Sequence, residues 1–83
     1  MKLTVRYFAS VREALGKGSE TIDTSAADLA ALRNELIARG GAYAQSLARG
    51  RAVRVALDQV MSDESVPLAE GCEVAFFPPV TGG

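Results

Sequence analysis

The run Cys72-Glu73-Val74-Ala75-Phe76-Phe77-Pro78-Pro79 limits the fold more than any other stretch of this chain. Val74 and Phe76 alternate onto one face, which predicts a final strand over 72–77. Pro78 and Pro79 then stop the ladder, because neither has an N–H to donate and both hold φ near −65°. A prolyl pair favours the stiff polyproline II conformation, so the chain should leave the sheet pointing outward. What leaves is Pro78, Pro79, Val80, Thr81, Gly82 and Gly83, a tail that reaches roughly 20 Å at about 3.3–3.6 Å per residue. Its Gly-Gly tip carries no side chain, fits a narrow tunnel and offers one reactive group, the α-carboxylate of Gly83. Terminal glycines are often only a frayed end. Here strand, stiff exit and bare tip are consecutive, which favours a working tail.

A chain of 83 residues builds one small domain, expected over 1–77 with the extended reactive tail at 78–83. Apolar residues make up 48%, enough for a packed core. With a net charge of −1 and the two signs interspersed, no basic stripe recruits a nucleic acid. No apolar stretch has membrane length, and the first strand pattern follows Met1 directly, with no signal peptide before it. The single Cys72 excludes an intramolecular disulfide, so a reducing cytoplasm is the expected compartment. With no histidine there is neither a His-based triad nor a His/Cys metal cluster, and no phosphate-binding glycine loop is present. The sequence therefore offers no catalytic apparatus and no metal or cofactor site of its own. It is a chain on which chemistry is done.

The body follows from periodicity. Lys2 to Phe8 alternates with Leu3, Val5 and Tyr7 on one face, and Glu20 to Thr24 alternates around Ile22. Between them Ser10-Val11-Arg12-Glu13 fits a capping box opening a short helix closed by Gly16–Gly18. Ser25 is the expected N-cap of the main helix, with Asp28 in its first turn. Leu29, Leu32, Leu36 and Ile37 form its apolar stripe, and Arg33 and a Glu35/Arg39 pair lie on its polar side. Gly40-Gly41 ends it, and Tyr43 to Ala48 suggests one further helical turn. Arg51 to Asp58 reads as a third strand, followed by a turn and a short extended segment at Val60 to Ser62. The sum is an α+β domain in which a mixed sheet packs on one main helix.

Strand parity leaves apolar residues over. If Tyr7 and Phe76 face the helix, Phe8 and Phe77 face away from it, and Met61 has no evident core partner. Aromatic residues and methionine around the root of a tail describe a docking surface.

Tyr7-Phe8-Ala9-Ser10-Val11-Arg12-Glu13 near the start and Glu73 through Gly83 at the end carry a resemblance that spans nearly the whole chain. The sequence resembles the small, sulfur-carrier subunits of molybdopterin synthase, which are ubiquitin-like β-grasp proteins. Aromatic-Pro-Pro-Val-Thr-Gly-Gly is the specific motif. Gly-Gly alone would equally suit a thiamine-type sulfur carrier, a ubiquitin-like protein modifier, or a β-grasp interaction module whose tail is merely exposed. The resemblance implies that an E1-like adenylating enzyme spends ATP to activate the Gly83 carboxylate, and that a sulfur donor protein converts it to a thiocarboxylate. It implies next that the tail enters the large subunit of the synthase and gives its sulfur to cyclic pyranopterin monophosphate, in a heterotetramer. Phe8, Arg12, Met61 and Phe77 are then the expected partner-binding residues. Two positions depart from the family pattern. Asp58 stands where asparagine is frequent, and Cys72, read as a small half-buried hydrophobe, stands where aspartate is common.

Overall fold

β1 (Lys2–Tyr7) is the organising strand: it pairs on both edges, antiparallel with β2 (Ser19–Asp23) and parallel with β5 (Glu73–Phe77). The computed structural model describes residues 1–79. β3 (Arg54–Leu57) joins the other edge of β5, β4 (Val60–Ser62) joins β3, and the five-stranded order is β2-β1-β5-β3-β4. Three helices cover one face: α1 (Ala9–Leu15), α2 (Leu29–Ile37) and α3 (Gly41–Leu47). Leu3, Val5, Tyr7, Val55, Val74 and Phe76 meet Leu29, Leu32, Leu36 and Leu47 in a single core. The alternation in β1, β3 and β5 is what puts these residues on one side. The expected α+β mixed sheet is present, with three helices on it.

Several local expectations are corrected. Ser10 does not cap α1. The helix starts two residues earlier, its N-cap is Phe8, and no side chain accepts there. Gly16 ends α1 in the left-handed region (φ 73°), with its N–H donating to the Arg12 carbonyl. Asp28, not Ser25, caps α2, because its Oδ1 accepts from the Ala31 N–H at 2.8 Å. Residues 25–27 are thereby left outside the helix, and Leu68 N–H donates to the Ala27 carbonyl. Arg33 is 4% exposed rather than solvated. Its guanidinium donates to the carbonyls of Leu47 and Ala48 and pairs with Glu64, tying α2 to the end of α3 and to the 63–66 turn. The Glu35/Arg39 pair does not form: Glu35 accepts from Thr24, and Arg39 pairs with Glu20.

Asp58 and Gln59 make the two-residue β3–β4 turn with φ of 49° and 69°, the handedness that matches strand twist. Asp58 Oδ1 accepts from the Glu73 N–H at 2.9 Å, while Asp58 N–H donates to the Glu73 carbonyl at 2.8 Å. Aspartate thus supplies the acceptor that holds the start of β5. Cys72 is buried just before that strand.

Candidate functional site: the root of the tail

Parallel pairing of β1 with β5 sets the geometry of the site. Tyr7 lies opposite Phe76, so the next residues, Phe8 and Phe77, emerge side by side at the same end of the sheet. The Phe8 N–H donates to the Phe76 carbonyl at 3.1 Å, and beyond it Pro78 has no N–H with which to continue. The two rings meet edge to face, with centroids 6.5 Å apart and planes at 85°. Phe8 remains 38% exposed and Phe77 is half-buried. Arg6, on the same face of β1, holds its guanidinium 5.2 Å above the Phe8 ring.

The register extends this face across the sheet. Arg6 lies opposite Ala75, Ala75 opposite Ala56, and Ala56 opposite Met61, while Phe77 lies opposite Arg54. Two alanines therefore form a low floor between the Phe8/Phe77 pair and Met61, which is 57% exposed. Val60, 65% exposed, points to the opposite side of the same edge strand. Sequence reasoning named Phe8, Phe77 and Met61 but missed Arg6, Arg54 and the alanine floor. Arg6 was legible from its i,i+2 spacing to Phe8. Arg54 was not, since its place depends on the β3–β5 register.

Arg12 lies over Gly18: a Cβ built there would come within 3.3 Å of the guanidinium. It lines a depression of about 550 Å³ with Ala9, Glu13 and Lys17. Pro78 and Pro79 border a separate groove of about 420 Å³ against Ser10, Val11, Arg51 and Val53. Val80, Thr81, Gly82 and Gly83 lie outside the described residues. Among those described, no cluster of three potential metal ligands occurs, and no helix is long and apolar enough to cross a membrane.

Beneath the aromatic pair lies a polar clasp that sequence reasoning did not foresee. Tyr7 stacks on Phe76 at 6.3 Å, and its hydroxyl donates to Glu20 Oε2 at 2.8 Å. Tyr43 of α3 donates to the same oxygen at 2.6 Å, and Arg39 donates to the other at 3.0 Å. Burial pushes the Glu20 carboxyl up, but the hydrogen bonds from Tyr43, Arg39 and Tyr7 outweigh it and hold the group below the usual carboxylate range. Burial, and then Glu20 itself, push the Tyr7 phenol far up, so it stays a neutral donor.

A family model described as the ThiS family matches residues 5–83. The chain belongs to the ThiS family. It is 37% identical over 81 residues to the molybdopterin synthase sulfur carrier subunit of Escherichia coli K12, an alignment covering 98% of this chain and 99% of that protein. The corresponding subunit of Haemophilus influenzae is 36% identical over the same share. Among solved structures, the complex of subunits 1 and 2 of the molybdopterin-converting factor from Helicobacter pylori contains a chain with 28% identity and a TM-score of 0.69, each chain covered in full. SAMP1 of Haloferax volcanii superposes with a TM-score of 0.79 at 22% identity, again over the whole of both chains. That likeness speaks for the ThiS-type β-grasp fold alone.

Proposed function

We propose that this ThiS-family chain is the sulfur-carrier subunit of a molybdopterin synthase. It carries sulfur as a C-terminal thiocarboxylate on Gly83 for the conversion of cyclic pyranopterin monophosphate to molybdopterin. The observation that carries the reading is the position of Phe77-Pro78-Pro79: the last strand delivers the tail beside an exposed aromatic pair, in a chain closely related to named sulfur carriers.

An α-carboxylate with a pKa of about 3.3–3.7 is ionised at neutral pH and is a poor electrophile. An E1-like adenylating enzyme therefore activates it: a Gly83 carboxylate oxygen attacks the α-phosphorus of ATP, pyrophosphate leaves, and an acyl-adenylate results. A sulfur donor protein then displaces AMP. Gly83 has no side chain to shield the acyl carbon, and Gly82 lets the partner's walls approach the backbone. ATP belongs to the adenylating partner, and this chain binds no cofactor. The large subunit receives the tail, supplies the cations that hold the pterin, and returns the carrier as a carboxylate. Two transfers complete each dithiolene, within a heterotetramer of two carriers on a large-subunit dimer in the cytoplasm. Phe8, Met61 and Phe77 form the docking face, with Arg12 at its rim.

Intact-mass measurement on the chain purified from cells tests this reading. The expected species is heavier by the difference between one sulfur and one oxygen, and the difference maps to Gly83. A population in which every chain is either unmodified or joined by isopeptide bonds to lysines of other proteins refutes it.

A further inference from the structure

We infer that Arg6, Arg51 and Arg54 make the tail-root end of this protein an electropositive docking rim, whose occupant is a large-subunit surface carrying carboxylates around an apolar centre. The inference rests on the carrier reading above and adds to it the chemistry of the partner's surface.

The arginines sort into two groups. Arg33, Arg39 and Arg49 are spent inside the domain, on Glu64, Glu20 and Glu64 respectively. Arg12, Arg51 and Arg54 make no ion pair among the described residues, and Arg6 reaches Glu73 only at 4.0 Å. This second group gathers at one end of the sheet. Arg54 opens β3 opposite Phe77, Arg51 lines the groove bordered by Pro78 and Pro79, and Arg6 covers Phe8. At this end Glu20 and Glu64 are already held by Arg39, Arg33 and Arg49. Asp63, which follows the Ser62 partner of Val55, is the carboxylate next to Arg54; more carboxylates stand at the other end. Asp23 lies opposite Lys2, Glu70 accepts from the Lys2 N–H at 2.7 Å, and Asp58 holds the start of β5. A chain of net charge −1 is thus polarised along its strands, positive where the tail leaves.

Such an arrangement has a physical consequence. A guanidinium stacked on an exposed ring keeps that ring's edge apolar while presenting charge around it. Rim charges of this kind contribute to encounter rate and partner choice more than to buried contact energy. A partner face with acidic groups outside an apolar centre is accelerated and oriented tail-first; a basic face is turned away.

Stopped-flow association with the large subunit from the same source tests the assignment. It is read at ionic strengths of about 10 mM and about 150 mM, where the screening length falls from roughly 30 Å to roughly 8 Å. Arg6→Glu/Arg54→Glu should slow association at least about tenfold at low salt, with the gap narrowing at high salt. Arg54→Gln should fall between the double variant and wild type. Lys2→Glu, a reversal of the same sign at the acidic end, should stay within about twofold of wild type. Circular dichroism confirms that each variant is folded. A double variant as fast as wild type, or Lys2→Glu as slow as the double variant, overturns the inference. A wild-type chain that acquires the sulfur and docks with a flat salt profile overturns the arginine assignment and leaves the carrier reading standing. A chain that neither acquires the sulfur nor docks overturns both.

Discussion

Glu20→Ala should cost this domain about 2–4 kcal/mol, far more than its place on an edge strand would suggest. The side chain is 17% exposed and accepts from three donors. The largest loss is at Tyr7, which is 1% exposed: its hydroxyl would keep its burial and lose its acceptor, at about 1–3 kcal/mol. Tyr43 is half-buried and can turn part of its demand toward water, and the Arg39 pair at the surface is worth about 0–1 kcal/mol. For a domain of this size each kcal/mol shifts Tm by about 4–8 °C, so Glu20→Ala should melt at least about 8 °C lower at pH 7. Glu20→Gln, which keeps one carbonyl oxygen, should fall between. The pH dependence has a defined sign. Because the folded state lowers the Glu20 pKa, its contribution is complete above the ordinary carboxylate range near 4.3 and is lost as pH falls through the lower folded value. Urea titrations of wild type and Glu20→Gln should therefore converge on acidification and stay parallel above about pH 5. A Glu20→Ala Tm within about 3 °C of wild type at pH 7 would refute the clasp, since water would then be replacing the carboxylate at no net loss.

Phe77→Ala should weaken binding of the large subunit by about 2 kcal/mol or more in calorimetric titration, with the fold retained; unchanged affinity would move the docking face elsewhere. Gly82→Val should melt as wild type yet fail to form the adenylate, because a β-branched side chain obstructs the partner's channel; normal adenylation would contradict the steric argument. Deleting Gly83, or adding one residue after it, should abolish sulfur transfer in a reconstituted synthase without moving Tm. Gln59→Gly should stabilise the domain by about 1 kcal/mol in urea unfolding, because Gln59 holds a φ of 69° that costs a side-chain-bearing residue about 1–2 kcal/mol.

Strand positions were legible because alternation survives any register, although β3 begins at Arg54 rather than at Arg51. Leu3, Val5 and Tyr7 had to share a face, and Val60 to Ser62 emerged at the expected residues. Helix starts were not, because several residues could cap. Ser25 and Asp28 are both good N-caps, and the choice went to Asp28 because residues 25–27 are held by Thr24 and Leu68 instead. Long polar side chains were the least legible of all. Glu35→Arg39 is a sound i,i+4 pair within one helix, yet each found a better partner on another element, Thr24 and Glu20. Arg33 reads as a solvated face residue until the 47–51 loop passes over it and supplies buried carbonyl acceptors. The docking face lay between these cases: its aromatic members followed from parity, and its arginines only from register.

Parallel pairing of the first and last strands is the step that turns this fold into a carrier. An antiparallel partner would bring the end of β5 beside Lys2, among Asp23 and Glu70. The parallel one brings it beside Phe8, at the end where Arg6, Arg51 and Arg54 stand. Phe76 and Tyr7 are pinned by the core and by Glu20, so the residues that follow them inherit a fixed direction. The prolines preserve that direction past the last hydrogen bond, because each holds one φ. Rigidity thus extends from the core to Pro79, and whatever lies beyond is presented to a partner from a defined point on a charged, aromatic surface.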